Sequence, residues 1–131
     1  MPRVIVDTNV FLSGVLFGGN PRKVVFAWLN NQYILCLSPE LKAEILNKLR
    51  LKFLVPISIV DFVAEALEVK SEKYIPKKKV DLCKDPGDNF LLELAEESRA
   101  DYLISGDKYV LELKQYKSTK IISPRDFLNI Q

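Results

Sequence analysis

Apolar positions in this chain alternate between short consecutive β-branched runs and stripes recurring every three or four residues, a pattern that predicts strands separated by helices. Residues 3–8 read as a first strand and residues 10–17 as an apolar helical segment. Gly18, Gly19, Asn20 and Pro21 form the first turn signal, with Pro21 placed to open a helix whose inner stripe is Val24, Val25, Trp28 and Leu29. A second strand is predicted over 33–37. Ser38 then serves as N-cap and Pro39 as first helical residue of a helix running to about residue 51, with Leu41, Ile45, Leu46 and Leu49 inward. Pro56 and Ser58 introduce a helix over 59–69, patterned by Phe62, Val63, Ala66 and Leu67. Residues 70–84 are polar, basic and interrupted by Pro76, so they read as a loop, with a short strand at Tyr74 and Ile75. Beyond it come a helix over 88–98, a strand over 102–105, a short helix over 108–113, a strand over 120–122 and a last helical turn from Ser123. Strands alternating with helices of this length favour a parallel sheet covered on both faces, with ligands outside the carboxyl ends of its strands.

At 131 residues, with 48% hydrophobic and 27% charged residue types, the chain is expected to form one globular domain over 1–131. The apolar stretch over 9–20 is too short to span a bilayer and is broken by Ser13, Gly14, Gly18 and Gly19. Arg3 alone makes a poor basic region for a signal peptide, so a cytoplasmic protein with no membrane partner is expected. Cys36 and Cys83 lack the spacing of a zinc or redox motif and read as free thiols.

The absence of histidine changes the picture most. It excludes a Ser-His-Asp triad, a Cys-His pair and an H-E-x-x-H zinc site, leaving carboxylates, lysines, hydroxyls or a bound ion to carry any chemistry. Asp7, Glu44, Asp88 and Asp107 each stand where a strand hands over to a helix or on the inner side of a helix. Carboxylates that converge in a partly desolvated crevice repel one another unless protons or a cation neutralise them. A hard divalent ion does so, which makes hydrolysis of a phosphate ester the leading expectation. Each acid also has a plainer reading. Asp7 and Asp107 could cap helices, although Thr8 or Asn9 could replace Asp7 as cap, and Glu44 could simply pair with Lys48 at i,i+4. Asp85, followed by Pro86, reads first as an N-cap, with a supporting role beside Asp88 compatible with that. Asp88 lies over Leu91, Leu92 and Ala95, where an unpartnered charge is costly. The net charge of +2 is too small for strong nonspecific nucleic-acid binding, but Lys77, Lys78, Lys79 and Lys84 crowd in ahead of Asp85. They read either as a solvated loop or as a border that attracts phosphates.

At these residues the sequence resembles the PIN-domain family, named from the PilT N-terminus. The resemblance is carried by VIVDTNV (4–10), SPELKAEI (38–45), CKDPGDNFLLELA (83–95), ADYLISGD (100–107) and IISPRDFL (121–128), in that order and spacing. It is strongest towards the branch described as toxins of toxin-antitoxin pairs. The resemblance implies an α/β three-layer sandwich, a central parallel sheet flanked by helices, and a Mg²⁺- or Mn²⁺-dependent ribonuclease. The family's acids match Asp7, Glu44, Asp88 and Asp107, its small hydroxyl residue matches Ser105, and its polar residue after the first acid matches Asn9. Lys84 departs from the arginine many relatives carry, keeping the charge but losing a two-pronged phosphate grip.

Without a histidine base, attack on a phosphodiester needs water activated by a metal. Asp7 and Asp88 are the first candidate ligands, Asp107 completes the site, and Glu44 would hold a second ion about 4 Å away or orient the water. Asn9 and Ser105 would position ligands or phosphate, and Lys84 would draw in the strand. RNA as substrate comes from the resemblance, as do a cognate antitoxin and a homodimer, for which residues 10–17 or 24–28 could supply a surface if they are not ordinary core. Two other classes stay open: a noncatalytic RNA- or protein-binding module, and an aspartyl-nucleophile phosphatase. Asn9 counts against the phosphatase, since a D-x-D enzyme carries an acid there.

Overall fold

The computed structural model describes residues 1–130. Strand β1 (Arg3–Val6) passes directly into helix α1 (Thr8–Leu16), and a tight turn leads to α2 (Gly19–Leu29). Gly18 and Gly19 take φ of 149° and 68° in that turn, a region open to glycine at little cost. The helix begins two residues before Pro21, which lies in the first turn, where its missing N–H is not needed. A Cβ on Gly14 would lie 2.5 Å from Val25 Cγ2 and 2.6 Å from the Pro21 carbonyl oxygen, so α1 and α2 approach closely only because that position is bare.

Strand β2 (Ile34–Leu37) runs into α3 (Pro39–Asn47), where Ser38 accepts the Leu41 N–H at 3.2 Å and Pro39 opens the helix, as expected. The regular helix stops at Asn47 rather than near residue 51. A π-helical turn, Lys48–Lys52, replaces its end, and the Phe53 N–H reaches back to the Lys48 carbonyl at 3.0 Å. Helix α4 (Ile57–Val69) follows, buried through Val60, Val63 and Leu67. Phe62, expected inward, is largely exposed because it falls off that stripe.

Strand β3 occupies Ser71–Lys73, not Tyr74 and Ile75. The ladder puts Leu35 opposite Ser71 and Leu37 opposite Lys73, and the Tyr74 N–H still bonds the Leu37 carbonyl at 2.8 Å, so pairing ends where it was predicted to start. Glu72 receives both the Arg3 side chain at 2.9 Å and the Tyr74 hydroxyl at 2.7 Å, which fixes this polar edge strand. A 3₁₀ turn (Pro86–Asp88) leads into α5 (Asn89–Ser98), then β4 (Tyr102–Ile104), α6 (Lys108–Leu111), β5 (Gln115–Tyr116), β6 (Thr119–Ile122) and α7 (Pro124–Asn129).

The six strands form one sheet in the order β3-β2-β1-β4-β6-β5. All pair in parallel except β5, a short antiparallel partner of β6 that the sequence pattern did not foretell. Helices flank the sheet, giving the expected three-layer α/β architecture. Val4, Ile5, Val6, Leu35, Leu37, Leu103 and Ile104 are buried, as a parallel sheet covered by helices requires. Phe127 of α7 seals the amino-terminal side of the core, edge-on to Tyr33 at 5.4 Å and Tyr102 at 5.9 Å. Both cysteines are free thiols. Among the described residues no helix is long and apolar enough to cross a membrane.

Candidate active site

The chain builds outward from β1 through β2 to β3, then returns to the other side of β1 to lay down β4. The crevice at the carboxyl ends of β1 and β4 is therefore a topological switch point, where open α/β sheets take their ligands. Asp7 ends β1 there, its N–H held by the Ile104 carbonyl at 2.9 Å. Its side chain is 8% exposed, and both oxygens are engaged: Oδ2 accepts the Ser105 hydroxyl at 2.8 Å and Oδ1 the Asn9 N–H at 3.3 Å. Asp7 is thus itself the N-cap of α1, which corrects the expectation that Thr8 or Asn9 could take that role and free the carboxylate. Ser105 is fully buried and bridges two acids, since its oxygen also accepts the Asp107 N–H at 3.1 Å. Asp107 in turn caps α6 through Oδ1, which receives the Tyr109 and Val110 N–H groups at 2.8 and 3.3 Å. For both aspartates the capping reading and the cleft-lining reading hold together.

Asp7, Asn9, Glu44, Asp85, Asp88 and Asp107 line one open cavity of about 350 Å³. Glu44 projects from α3 and pairs with Lys48 at 3.2 Å, so the i,i+4 contact is real and the side chain still borders the cleft. Asp85 caps the 3₁₀ turn by accepting the Gly87 N–H at 2.9 Å, and its carbonyl accepts the Asp88 N–H at 3.0 Å. A second hollow of about 390 Å³ shares Asp7, Asn9 and Asp107 and extends past Ser13, Gly106 and Pro124. Asp7 and Asp107 therefore border both hollows, while Glu44, Asp85 and Asp88 line the first alone.

Electrostatics tie the group together. Burial pushes the Asp7 carboxyl up from its ordinary value, the Ser105 and Asn9 hydrogen bonds pull it down, and the charges of Glu44 and Asp107 raise it again. Asp88 is pushed up to about 6, first by burial and then by Asp7, Asp85, Asp107 and Glu44. Cys83 stands beside the same charges; burial, then Asp88, Asp85 and Asp107, raise its thiol to about 11, which disqualifies it as a nucleophile at neutral pH. Among the described residues, no three His, Cys, Asp or Glu side chains are gathered as a ready metal cage. The donors facing the cleft are nonetheless carboxylate oxygens with surplus negative charge, a set that suits a hard divalent cation.

Lys84 does not line the cavity; its ammonium lies 4.2 Å from the centre of the Tyr109 ring. The border expected from Lys77 and Lys78 is not there either. Lys78 pairs with Glu96 of α5 at 3.6 Å, the Lys77 N–H bonds Glu97 at 3.2 Å and the Val80 N–H bonds Glu93 at 3.2 Å, so α5 acids fasten this loop on a separate surface. One positioning residue escaped the sequence reading. Buried Asn89 uses Oδ1 to accept the Leu82 and Cys83 N–H groups at 3.1 and 2.8 Å, anchoring the segment that leads to Asp85 and Asp88. An amide at the start of an apolar helix run, where asparagine is a weak helix former, was the available signal.

An acidic cleft at the switch point of a mostly parallel, helix-flanked sheet marks the class of α/β protein to which this chain belongs. A family model described as PIN domain matches residues 3–109, and the chain belongs to that family. Its members are generally nucleases that bind nucleic acid and typically use divalent metals. The chain is also similar to an uncharacterized protein of Methanocaldococcus jannaschii, 26% identical over an alignment covering 96% of this chain and 89% of that protein.

Proposed function

We propose that this protein is a Mg²⁺- or Mn²⁺-dependent endoribonuclease, acting as a single domain across residues 1–131, and the toxin of a toxin-antitoxin pair. The observation that carries the nuclease reading is the convergence of Asp7, Glu44, Asp88 and Asp107 on one cleft, where their charges raise the carboxyl of Asp88. Asp7, Asp88 and Asp107 would hold the cation, with Glu44 holding a second one or orienting water. When bound, such an ion supplies Lewis acidity, lowering the pKa of water and screening phosphate charge. Ser105 aims Asp7 and offsets part of the rise that burial causes in its carboxyl by donating to Oδ2, while it accepts from the backbone of Asp107. Asn9 presents an exposed amide to the strand from the wall shared by both hollows. Glu44 can take a proton from water, and Lys48, paired with it, holds its direction.

The toxin reading draws support from an unpartnered apolar face. Residues 10–17 and 24–28 are mostly core, yet Phe26 is 54% exposed and with Phe62 and Ile59 it lines a groove of about 300 Å³ between α2 and α4, while Phe17, 69% exposed, packs its ring against Phe53. A surface of this kind fits a protein partner, an antitoxin or a second copy. A cytoplasmic location belongs to the same proposal, as the compartment where a toxin of this kind would meet its RNA.

The test is cleavage of structured and single-stranded RNA with Mg²⁺, Mn²⁺ or chelator, run beside Asp88→Asn. Metal-dependent cleavage lost in a folded variant supports the enzyme; RNA binding with no metal-dependent cleavage in the parent identifies a noncatalytic module instead.

A further inference from the structure

Tyr109 is 40% exposed on the first turn of α6, two residues beyond Asp107. Its backbone N–H is bonded to the Asp107 carboxylate at 2.8 Å, so the backbone that carries the ring is tied to an acid of the cleft. Two ammonium groups attend that ring: Lys84 at 4.2 Å from its centre and Lys108 at 5.0 Å. Lys84 directly precedes Asp85 and Tyr109 follows Asp107 by two residues, so their contact joins the two segments that bring Asp85 and Asp107 to the cleft. Lys84 and Lys108 each adjoin a cleft acid in sequence, Asp85 and Asp107, whereas Lys48 is paired with Glu44 and Lys78 with Glu96.

An exposed ring flanked by cations at the edge of an acidic centre is what a flexible nucleic-acid strand requires, because every base offers a π-face and every linkage a negative charge. Building on the ribonuclease reading, we propose that Tyr109 is the stacking platform for the unpaired base next to the scissile phosphate, with Lys84 and Lys108 moving from the ring to the flanking phosphates. Stacking of a base on an aromatic side chain outweighs an exposed cation–π contact, so the base displaces the ammonium groups rather than the reverse. The displaced lysines then face phosphate oxygens, which attract them more strongly than a ring does. A base in a duplex is already stacked and cannot reach the ring. The enzyme therefore selects single-stranded segments, and this selection resides in Tyr109 rather than in the acids.

The experiment compares the parent protein, Tyr109→Ala and Tyr109→Phe on single-stranded RNA with an intact or an abasic nucleotide beside the cleavage point, and on the matching duplex. Tyr109→Ala is expected to raise KM about tenfold with kcat changed less than about twofold, and Tyr109→Phe to stay near the parent. The abasic substrate should cost the parent about the same factor and cost Tyr109→Ala nothing further, because base and ring are one interaction. Unchanged KM in Tyr109→Ala while the parent cleaves RNA, or abasic and alanine losses that simply multiply, overturns the stacking role and leaves the nuclease standing. Failure of the parent to cleave RNA with either metal overturns both.

Discussion

Asp88→Asn separates the stability of this protein from its chemistry. The carboxylate receives no hydrogen bond among the described residues, so the amide forfeits none, and the main change is the removal of one negative charge from a crowded cleft. The Asp88 carboxyl is pushed up to about 6 by burial and by Asp7, Asp85, Asp107 and Glu44. A carboxyl raised by folding binds its proton more tightly in the folded state, so the fold loses stability as pH climbs from about 4 through 6 and stays at that deficit above. At 1.36 kcal/mol for each pH unit the deficit is at most about 3 kcal/mol. Solvent screening at this partly exposed position reduces it to about 1–2 kcal/mol. Urea unfolding in chelator at about pH 7.5 should therefore show Asp88→Asn more stable than the parent by about 1–2 kcal/mol, and the gain should vanish at about pH 3, where the Asp88 carboxyl is protonated in both the folded and the unfolded chain. Added Mn²⁺ should then stabilise the parent more than the variant. A variant no more stable than the parent at the higher pH, or a gain that persists at the lower, refutes the charge-crowding argument.

Two further outcomes follow from the same contacts. Ser105→Ala removes the hydroxyl that lowers the Asp7 carboxyl and satisfies the Asp107 N–H, so the acidic limb of the cleavage pH profile should move to higher pH. Chemical denaturation should show a loss of about 1–3 kcal/mol. Asn89→Ala releases the Leu82 and Cys83 N–H groups, and amide hydrogen exchange there should accelerate while stability falls by about 1–2 kcal/mol; unchanged exchange would show that other contacts hold the segment.

Strands β1, β2, β4 and β6 were legible because each is a compact apolar run buried in the sheet, whereas β3 and β5 were not, being polar edge strands defined by a neighbour's ladder. The caps at Ser38 and Asp85 were legible because their hydrogen bonds are local. The acids stood out through local context too, Asp7 and Asp107 following strands at helix starts, Asp88 opening α5 and Glu44 within α3. What they share could not be read: that Ser105 reaches across 98 positions to Asp7, or that Asn89 anchors the segment ahead of Asp85, depends on the assembled sheet. Whether the lysine run was a solvated loop or a phosphate border stayed open in the sequence because the acids that hold its segment, Glu93, Glu96 and Glu97, are distant in sequence and close in the fold.

The central claim is that negative side chains brought together at the ends of β1 and β4 form a seat for a divalent cation. Titration calorimetry with Mn²⁺ on the metal-free protein tests it most directly. Saturable binding of roughly one or two ions per chain, lost in both Asp7→Asn and Asp88→Asn while circular dichroism is unchanged, is the expected result. No saturable binding, or binding indifferent to both substitutions, would contradict it.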